Sequence, residues 1–227
     1  MTAGRIRPPV ATARKGRGSA SWVAGRYETQ VAVPEDDGWD GLQALQDEAS
    51  APGTVVTEER ARSIVSRNRS PDISFSQSVN PYRGCEHGCI YCFARPTHAY
   101  LGLSPGLDFE TRITAKPDAA RLLAAEIARP GYAVGPIAFG TNTDPYQPAE
   151  AKMGIMRACL QVLHDWNHPV SIVTRGRTIL RDLDLLSELA SHNLVSVAFS
   201  LTTLDDELKR IMEPRTAAPA ARLRAMR

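Results

Sequence analysis

The chain has 227 residues, of which 43% are hydrophobic, and it contains four cysteines. A chain of this length can bury one sizeable core without disulfides, and its formal net charge of +2 neither favours nor excludes a nucleic-acid partner. Its longest apolar runs are strand-sized and its N-terminus lacks the apolar segment of a secretory signal, which predicts a cytoplasmic protein with no membrane span and no structural disulfide.

The first 65 residues differ in composition from the rest of the chain. Residues 1–21 are rich in small residues and have no acidic side chain; their basic residues are Arg5, Arg7, Arg14, Lys15 and Arg17. An acidic stretch follows, with Glu35, Asp36, Asp37, Asp40, Asp47 and Glu48. Such segments bury too little apolar surface to offset the entropy of ordering. We therefore predict a largely disordered extension over residues 1–65, with nucleic-acid binding by its basic part as the alternative to a solvated terminus.

Residues 66–227 form the predicted folded domain, because their hydrophobic period alternates between that of strands and that of helices. Short β-rich segments occur at residues 74–79, 136–140, 170–174 and 194–201. Helical patterns separate or follow them at residues 118–128, 148–166, 181–192 and 204–212. This alternation is typical of a parallel α/β sheet, in which functional residues gather at the carboxyl ends of the strands.

Three of the cysteines lie close together in the stretch GCEHGCIYCFARPTH, which follows the first of these strands. Their spacing is Cys85-x3-Cys89-x2-Cys92. On a glycine-containing loop these three thiolates can converge on one soft metal centre, which neither a helix nor a strand would allow. With three protein ligands, a four-iron cluster would keep one iron open for chemistry. Cys159 lies instead in an amphipathic helical pattern and is interpreted as a buried apolar residue.

Zinc is the alternative metal for this loop. A structural zinc site normally has a fourth ligand, which His87 or His98 could supply. The sequence has no second pair of Cys or His residues at the spacing of a zinc finger. The residues therefore favour an iron–sulfur cluster and keep zinc as the alternative.

The cysteine spacing, with Tyr91 directly before the last cysteine, resembles the radical SAM superfamily. The segments NPYRGCEHGCIYCFARPTH, GTNTDPYQPAE, IVTRG, FSLTT and MEPR are similar to those of uncharacterised bacterial radical SAM proteins related to spore photoproduct lyase, often labelled DNA repair photolyases. The resemblance covers about residues 60–227. It implies a partial (β/α) barrel, a 4Fe-4S cluster held by Cys85, Cys89 and Cys92, and S-adenosyl-L-methionine bound to the open iron.

The resemblance also implies which side chains contact S-adenosylmethionine. Tyr91 would pack on the adenine, and Asp144 would accept a hydrogen bond from the methionyl ammonium, although Asn142 and Asp144 also suit a turn. Arg175 stands where the spore lyase has a lysine, which keeps the positive charge but changes its geometry. The predicted cofactor-binding residues are Tyr91, Thr141, Asn142, Thr143, Asp144, Arg175 and Ser200.

Two departures from the family pattern bear on function. Thr141 stands where spore photoproduct lyase has a cysteine hydrogen donor, and a hydroxyl is a much poorer hydrogen-atom donor than a thiol. Thymine-dimer repair by that route is therefore not expected. The sequence also supplies about four of the six strand–helix units of such a barrel and ends within the helical pattern AARLRAMR, from which we expect a truncated barrel. Glu213 and Arg215 of the MEPR segment suit a local ion pair as well as a role at the site.

The function that the resemblance implies is radical chemistry. An electron from a reduced flavodoxin or ferredoxin would enter the cluster, and cleavage of S-adenosylmethionine would release methionine and a 5′-deoxyadenosyl radical that abstracts hydrogen from an unidentified substrate. The alternative from a different class is a non-catalytic zinc or iron–sulfur module that serves structure or nucleic-acid binding. Only the basic N-terminal residues favour that alternative.

Overall fold

The computed structural model describes residues 16–21, 23–27 and 53–227. The basic residues at positions 5–15 and the acidic stretch at positions 35–48 lie outside the described residues. Within the predicted extension, Val55–Glu58 forms strand β1, which pairs in parallel with a strand of the folded domain. The composition did not indicate this pairing, and it joins part of the extension to the domain.

Four parallel strands form the centre of the fold and confirm the predicted α/β alternation. They belong to a five-stranded sheet with the order β2-β3-β6-β7-β8. Its strands are β2 (Val65–Arg67), β3 (Gln77–Val79), β6 (Ile137–Phe139), β7 (Val170–Thr174) and β8 (Val195–Phe199). β2 is antiparallel to β3, whereas β3, β6, β7 and β8 run parallel. The carboxyl ends of these four strands therefore lie at one edge of the sheet.

A second sheet, which the sequence analysis did not predict, leads into the cysteine segment. It has three strands in the order β1-β5-β4, with β4 at Tyr82–Arg83 and β5 at Arg112–Ala115. β1 is parallel to β5, and β4 is antiparallel to it. Strands of two to four residues are too short for a hydrophobic period to reveal them.

The helices lie close to their predicted positions, apart from a four-residue helix at Asp108–Thr111 that was not predicted. They are α1 (Asp108–Thr111), α2 (Ala119–Ile127), α3 (Glu150–Met153), α4 (Ile155–Asp165), α5 (Leu183–Ser191), α6 (Asp206–Met212) and α7 (Pro219–Ala225). Short 3₁₀ helices occur at Arg95–Leu101 and Arg177–Asp182. The single helix predicted over residues 148–166 is divided at Gly154, whose φ of 64° is left-handed. In the part of the chain that the structure describes, no helix is long and apolar enough to cross a membrane.

The main hydrophobic core lies between the sheet and helices α2, α4 and α5. It includes Leu123, Ile137, Leu160, Ile172 and Leu186. Cys159 is completely buried in the same core, as its place in an amphipathic helix predicted. Because burial raises the pKa of its thiol, Cys159 behaves as a neutral apolar side chain.

A buried ion pair fastens α7 to the end of β8. Arg222 of α7 is completely buried, and it donates to Glu213 Oε2 at 2.5 Å and to the Ser200 carbonyl at 2.8 Å. Burial alone would raise the pKa of Glu213, but hydrogen bonds from Tyr91, Thr202 and Arg222 outweigh that effect and lower the pKa to about 2. The Glu213 carboxylate is therefore ionised throughout the neutral range.

An apolar groove lies between β8, α5 and α7. It is lined by Ile179, Leu180, Leu183, Leu186, Val195, Val197, Phe199 and Met226, among others. Within the described residues β8 has one strand neighbour, β7, so its other edge has no strand partner there. An open strand edge beside apolar side chains favours pairing with another chain.

We expect Val197→Lys to reduce self-association of the protein, because a charge on an edge strand opposes pairing with a second chain. Val197 is 39% exposed, so the fold can accommodate the longer side chain. Size-exclusion chromatography with light scattering over a range of concentrations measures the effect. Val134→Lys is the matched control, since Val134 is 69% exposed and lies outside the groove. Equal association of the two variants would exclude β8 as the contact.

Replacing Glu213 with Gln should lower the free energy of unfolding by about 3 kcal/mol near pH 7, because Arg222 becomes a buried charge without its carboxylate. The pKa of Glu213 is about 2 in the folded chain, below its usual value of 4.5. Its contribution is therefore present above about pH 4.5 and is lost as the pH falls toward 2. Urea unfolding at pH 7 and pH 3 should show a smaller difference between wild type and Glu213→Gln at pH 3. An equal difference at both values would contradict this assignment.

Candidate metal and cofactor site

The three clustered cysteines line one pocket beside the carboxyl ends of β6 and β7. Cys85 and Cys89 are each 7% exposed, Cys92 is half-buried, and all three are free thiols. The loop begins directly after β4, where Cys85 N donates to the Phe109 carbonyl at 2.8 Å. Cys92 N donates to the Cys89 carbonyl at 3.3 Å. The loop thus brings all three cysteines to the same cavity, although they are spread over eight positions of the sequence.

Three thiols that line one cavity are a donor set suited to a 4Fe-4S cluster with three protein ligands, in which each cysteine binds a different iron. Among the described residues, no group of three or more His, Cys, Asp or Glu side chains is close enough together to hold one metal ion. The cavity volume is about 90 Å³, which is smaller than the range of about 300–1,000 Å³ typical of small-molecule sites, so a cofactor bound here would extend beyond this cavity.

Burial keeps two of the thiols protonated in the metal-free chain. It raises the pKa of Cys89 to about 11, and Arg175 opposes this rise only in part. Burial followed by the charge of Asp144 raises the pKa of Cys85 well above its usual value. A metal centre at this loop would therefore have to displace protons when the thiolates bind it.

Asp144 connects the loop after β6 to the end of β7. Its Oδ1 accepts hydrogen bonds from Tyr146 N at 2.9 Å and from the Thr174 hydroxyl at 2.6 Å, and its Oδ2 accepts one from Arg175 N at 2.7 Å. His87 Nδ1 lies 3.2 Å from Oδ2 but is not aligned for a hydrogen bond. The bond from Tyr146 N gives Asp144 the turn role that the sequence also allowed. A contact with a methionyl ammonium stays a prediction.

Three of these residues keep the buried Asp144 carboxylate charged. Burial alone would raise the pKa of Asp144, but His87, the Thr174 hydroxyl and the Arg175 N–H outweigh it and lower the pKa. Asp144 therefore contributes a negative charge to the lining of the pocket, beside Cys85. Such a charge favours a cationic group on any molecule that enters the pocket.

Tyr91 and Arg175 form one wall of the pocket, and Glu213 holds both. The Tyr91 hydroxyl donates to Glu213 Oε1, and it also contacts the Thr202 hydroxyl at 2.9 Å. Arg175 Nε donates to the same Glu213 oxygen at 3.1 Å, and the guanidinium lies 5.9 Å from the centre of the Tyr91 ring. Burial, followed by the Glu213 hydrogen bond, raises the pKa of Tyr91, so its phenol stays neutral.

The local ion pair between Glu213 and Arg215 is not formed. Glu213 pairs with Arg175 and with Arg222, while Arg215 pairs with Glu86 at 3.2 Å. The helical pattern AARLRAMR contains Arg222, but the sequence gives no local signal that this residue pairs with Glu213, because it lies on a later helix.

Five of the seven predicted cofactor-binding residues line the pocket. Those five are Tyr91, Asn142, Thr143, Asp144 and Arg175. Thr141 is not in the lining and exchanges hydrogen bonds with the Asn80 side chain at 3.0 and 3.2 Å. Ser200 also lies outside the lining, and its backbone bonds to the Thr174 carbonyl and to Arg222. The roles of Thr141 and Ser200 as cofactor contacts stay predictions.

Comparison with known sequences identifies the family of the chain. The model of the Radical SAM superfamily matches residues 79–227. Uncharacterized proteins of Mycobacterium tuberculosis and Mycobacterium bovis are 42% identical over 200 residues, which cover 84% of this chain and 58% of theirs. An uncharacterized protein of Methanocaldococcus jannaschii is 24% identical over 149 residues, 66% of this chain and 53% of its own. The chain thus spans little more than half the length of these relatives.

Solved structures of spore photoproduct lyase share the fold. The lyase complexed with dinucleoside spore photoproduct has a TM-score of 0.55 and 16% identity, over 86% of this chain and 52% of that chain. A mutant of the lyase with bound AdoMet and dinucleoside spore photoproduct has the same TM-score and identity. At this identity the likeness concerns the fold alone. Because the family model covers most of the chain, from the strand before the cysteine loop to the last helix, this protein belongs to the radical SAM superfamily.

Proposed function

We propose that this chain binds a 4Fe-4S cluster through Cys85, Cys89 and Cys92 and binds S-adenosylmethionine beside it. The proposed reaction abstracts a hydrogen atom from a substrate. One observation carries the proposal: the three cysteines line the same pocket as Asp144 and Arg175. When bound and reduced, the cluster supplies the electron that cleaves S-adenosylmethionine into methionine and a 5′-deoxyadenosyl radical.

The side chains of the pocket would bind and orient S-adenosylmethionine. Arg175 offers a guanidinium to the methionyl carboxylate, and Asp144 places a negative charge on the side from which the ammonium would approach. Tyr91 is 43% exposed and offers its ring to the adenine. Because Glu213 already holds Tyr91 and Arg175, the pocket would lose little side-chain freedom when the cofactor binds.

The chain differs from spore photoproduct lyase in the hydrogen donor that it can offer. Its four cysteines are the three of the loop and Cys159, which is buried in the main core. Thr141, the residue at the position of the lyase's cysteine donor, bonds to Asn80. The proposal therefore concerns hydrogen abstraction and does not extend to repair of a thymine dimer.

A reduced flavodoxin or ferredoxin would supply the electron. The proposed location is the cytoplasm, because a reducing compartment keeps the loop thiols free to bind iron. The chain spans 58% of the length of its mycobacterial relatives. That it has the activity of a whole radical SAM enzyme is therefore itself proposed.

We expect Cys85→Ala, Cys89→Ala and Cys92→Ala each to lose most of the iron taken up during anaerobic reconstitution, since a cluster that loses one of three thiolates cannot be retained. Cys159→Ala should keep its iron, because Cys159 is packed in a different cluster of side chains from Cys85. Iron per protein and the visible charge-transfer absorption measure the result. Equal iron loss in Cys159→Ala and Cys89→Ala, or a colourless zinc-loaded protein, would contradict the proposal.

Arg175→Ala should bind S-adenosylmethionine about tenfold more weakly than wild type, which corresponds to about 1.4 kcal/mol for one charge-assisted contact. Its iron content should not change, because Arg175 is not a cluster ligand. Arg175→Lys keeps the charge and is the matched control. Calorimetry on the reconstituted protein measures affinity, and an anaerobic assay for 5′-deoxyadenosine with dithionite measures cleavage. Unchanged affinity in Arg175→Ala would remove this residue from the site.

A further inference from the structure

A segment of the predicted disordered extension is packed against the cysteine loop. Residues 16–21, which we call the N-terminal strap, lie over the loop that carries Cys85, Cys89 and Cys92. We propose that the strap, through Glu110 and Arg95, is a positioning element that holds the loop in the conformation that binds the cluster. This inference rests on the proposed function, because it takes Cys89 to be a cluster ligand.

Glu110 is the anchor of the strap. It is completely buried, and its carboxylate accepts hydrogen bonds from Gly18 N at 2.9 Å and Ser19 N at 2.8 Å. Its backbone carbonyl accepts a third bond, from Arg17 Nη1 at 2.9 Å. A buried carboxylate is costly unless hydrogen-bond donors surround it. The strap supplies two of those donors to the side chain, so Glu110 and the strap stabilise each other.

Arg95 connects the same carboxylate to a predicted cluster ligand. Its Nη2 donates to Glu110 Oε1 at 2.6 Å. Nε and Nη2 also donate to the Cys89 carbonyl, at 3.1 and 2.9 Å. The Arg95 guanidinium lies 5.4 Å from the centre of the Phe109 ring, which limits its movement. A continuous series of hydrogen bonds therefore runs from the strap through Glu110 and Arg95 to the backbone of Cys89.

Two glycines allow the strap and the loop to touch through their backbones. A Cβ atom on Gly18 would lie 1.8 Å from the Gly88 carbonyl oxygen. Gly88 has a φ of +68°, and a Cβ there would lie 2.8 Å from Glu110 Oε2. Position 88 therefore requires glycine, because its left-handed conformation and its close approach to the Glu110 carboxylate both exclude a side chain. No side chain larger than hydrogen fits at Gly18 while the strap is in place.

The chain beyond the strap continues along the same face of the domain. Leu107 N donates to the Ser21 carbonyl at 3.3 Å. Val23 N donates to the Ser104 hydroxyl at 2.7 Å, and that hydroxyl contacts the Val23 carbonyl at 2.7 Å. These contacts bind the C-terminal end of the strap, and the chain that follows it, to Ser104 and Leu107. The strap is therefore held by several bonds along its length.

The full chain with Gly18→Ala tests the proposal, because the added methyl group meets the Gly88 carbonyl and displaces the strap without altering Glu110, Arg95 or a cysteine. Gly53→Ala is the matched control, since a Cβ at Gly53 meets nothing within 4 Å. Hydrogen–deuterium exchange of the metal-free proteins reports on residues 84–92. We expect exchange there to be at least about tenfold faster in Gly18→Ala and unchanged in Gly53→Ala.

Two further measurements separate positioning from general destabilisation. Gly18→Ala should lower the urea midpoint, because the buried Glu110 loses two donors, whereas Ile172→Val, which lowers the midpoint through the main core, should leave loop exchange at the wild-type rate. After reconstitution, Gly18→Ala should release iron to a chelator about tenfold faster, and the EPR spectrum of its reduced cluster should differ from that of wild type. Glu110→Gln, which keeps the shape of the side chain but removes its charge, should show the same faster loop exchange.

Loop exchange at the wild-type rate in Gly18→Ala would overturn the inference. Equally fast loop exchange in Ile172→Val would do so as well, since the effect would then be global. Retention of iron by the Cys89→Ala variant would refute the proposed function instead. The exchange measurement in the metal-free chain is independent of iron and distinguishes these two failures.

Discussion

Buried carboxylates need hydrogen-bond donors, and this requirement determines how the segments around the cysteine loop are arranged. Glu110, Asp144 and Glu213 are each less than a tenth exposed. Each one gathers donors from segments far apart in the sequence, because no single loop supplies enough of them. Removing any of these carboxylates would leave several donors unpaired. These three carboxylates therefore join the segments around the cysteine loop through hydrogen bonds.

This arrangement prepares the pocket before a cofactor enters it. Glu213 sets the positions of Tyr91 and Arg175, and Asp144 fixes the backbone at the end of β7. A site whose side chains are already ordered loses less conformational entropy on binding. The same contacts hold α7 against β8 through Arg222, so the last helix supports the site although it contributes no residue to its lining.

The sequence predicted the features that repeat locally and missed those that depend on distant contacts. The four parallel strands and the helices between them follow from hydrophobic period, and the cysteine loop follows from spacing. β1, β4 and β5 are too short to show a period. The strap at residues 16–21 has the composition of a disordered tail, and its bonds to Glu110 span more than 90 positions. Such pairing leaves no local signal, because composition reports what a segment can bury by itself.

The packing around the cysteines is separate from the main core, and this separation has a consequence for stability. Cys85 belongs to a small cluster with Ala94 and Phe109, with Cys92 packed against it, whereas Cys159 lies in the large core. So small an apolar cluster contributes little burial free energy, and the loop depends on hydrogen bonds such as those of Arg95. A metal centre bound by the loop would add its binding free energy to this region alone. Loss of hydrogen bonds at the loop is therefore expected to loosen this region before the sheet behind it.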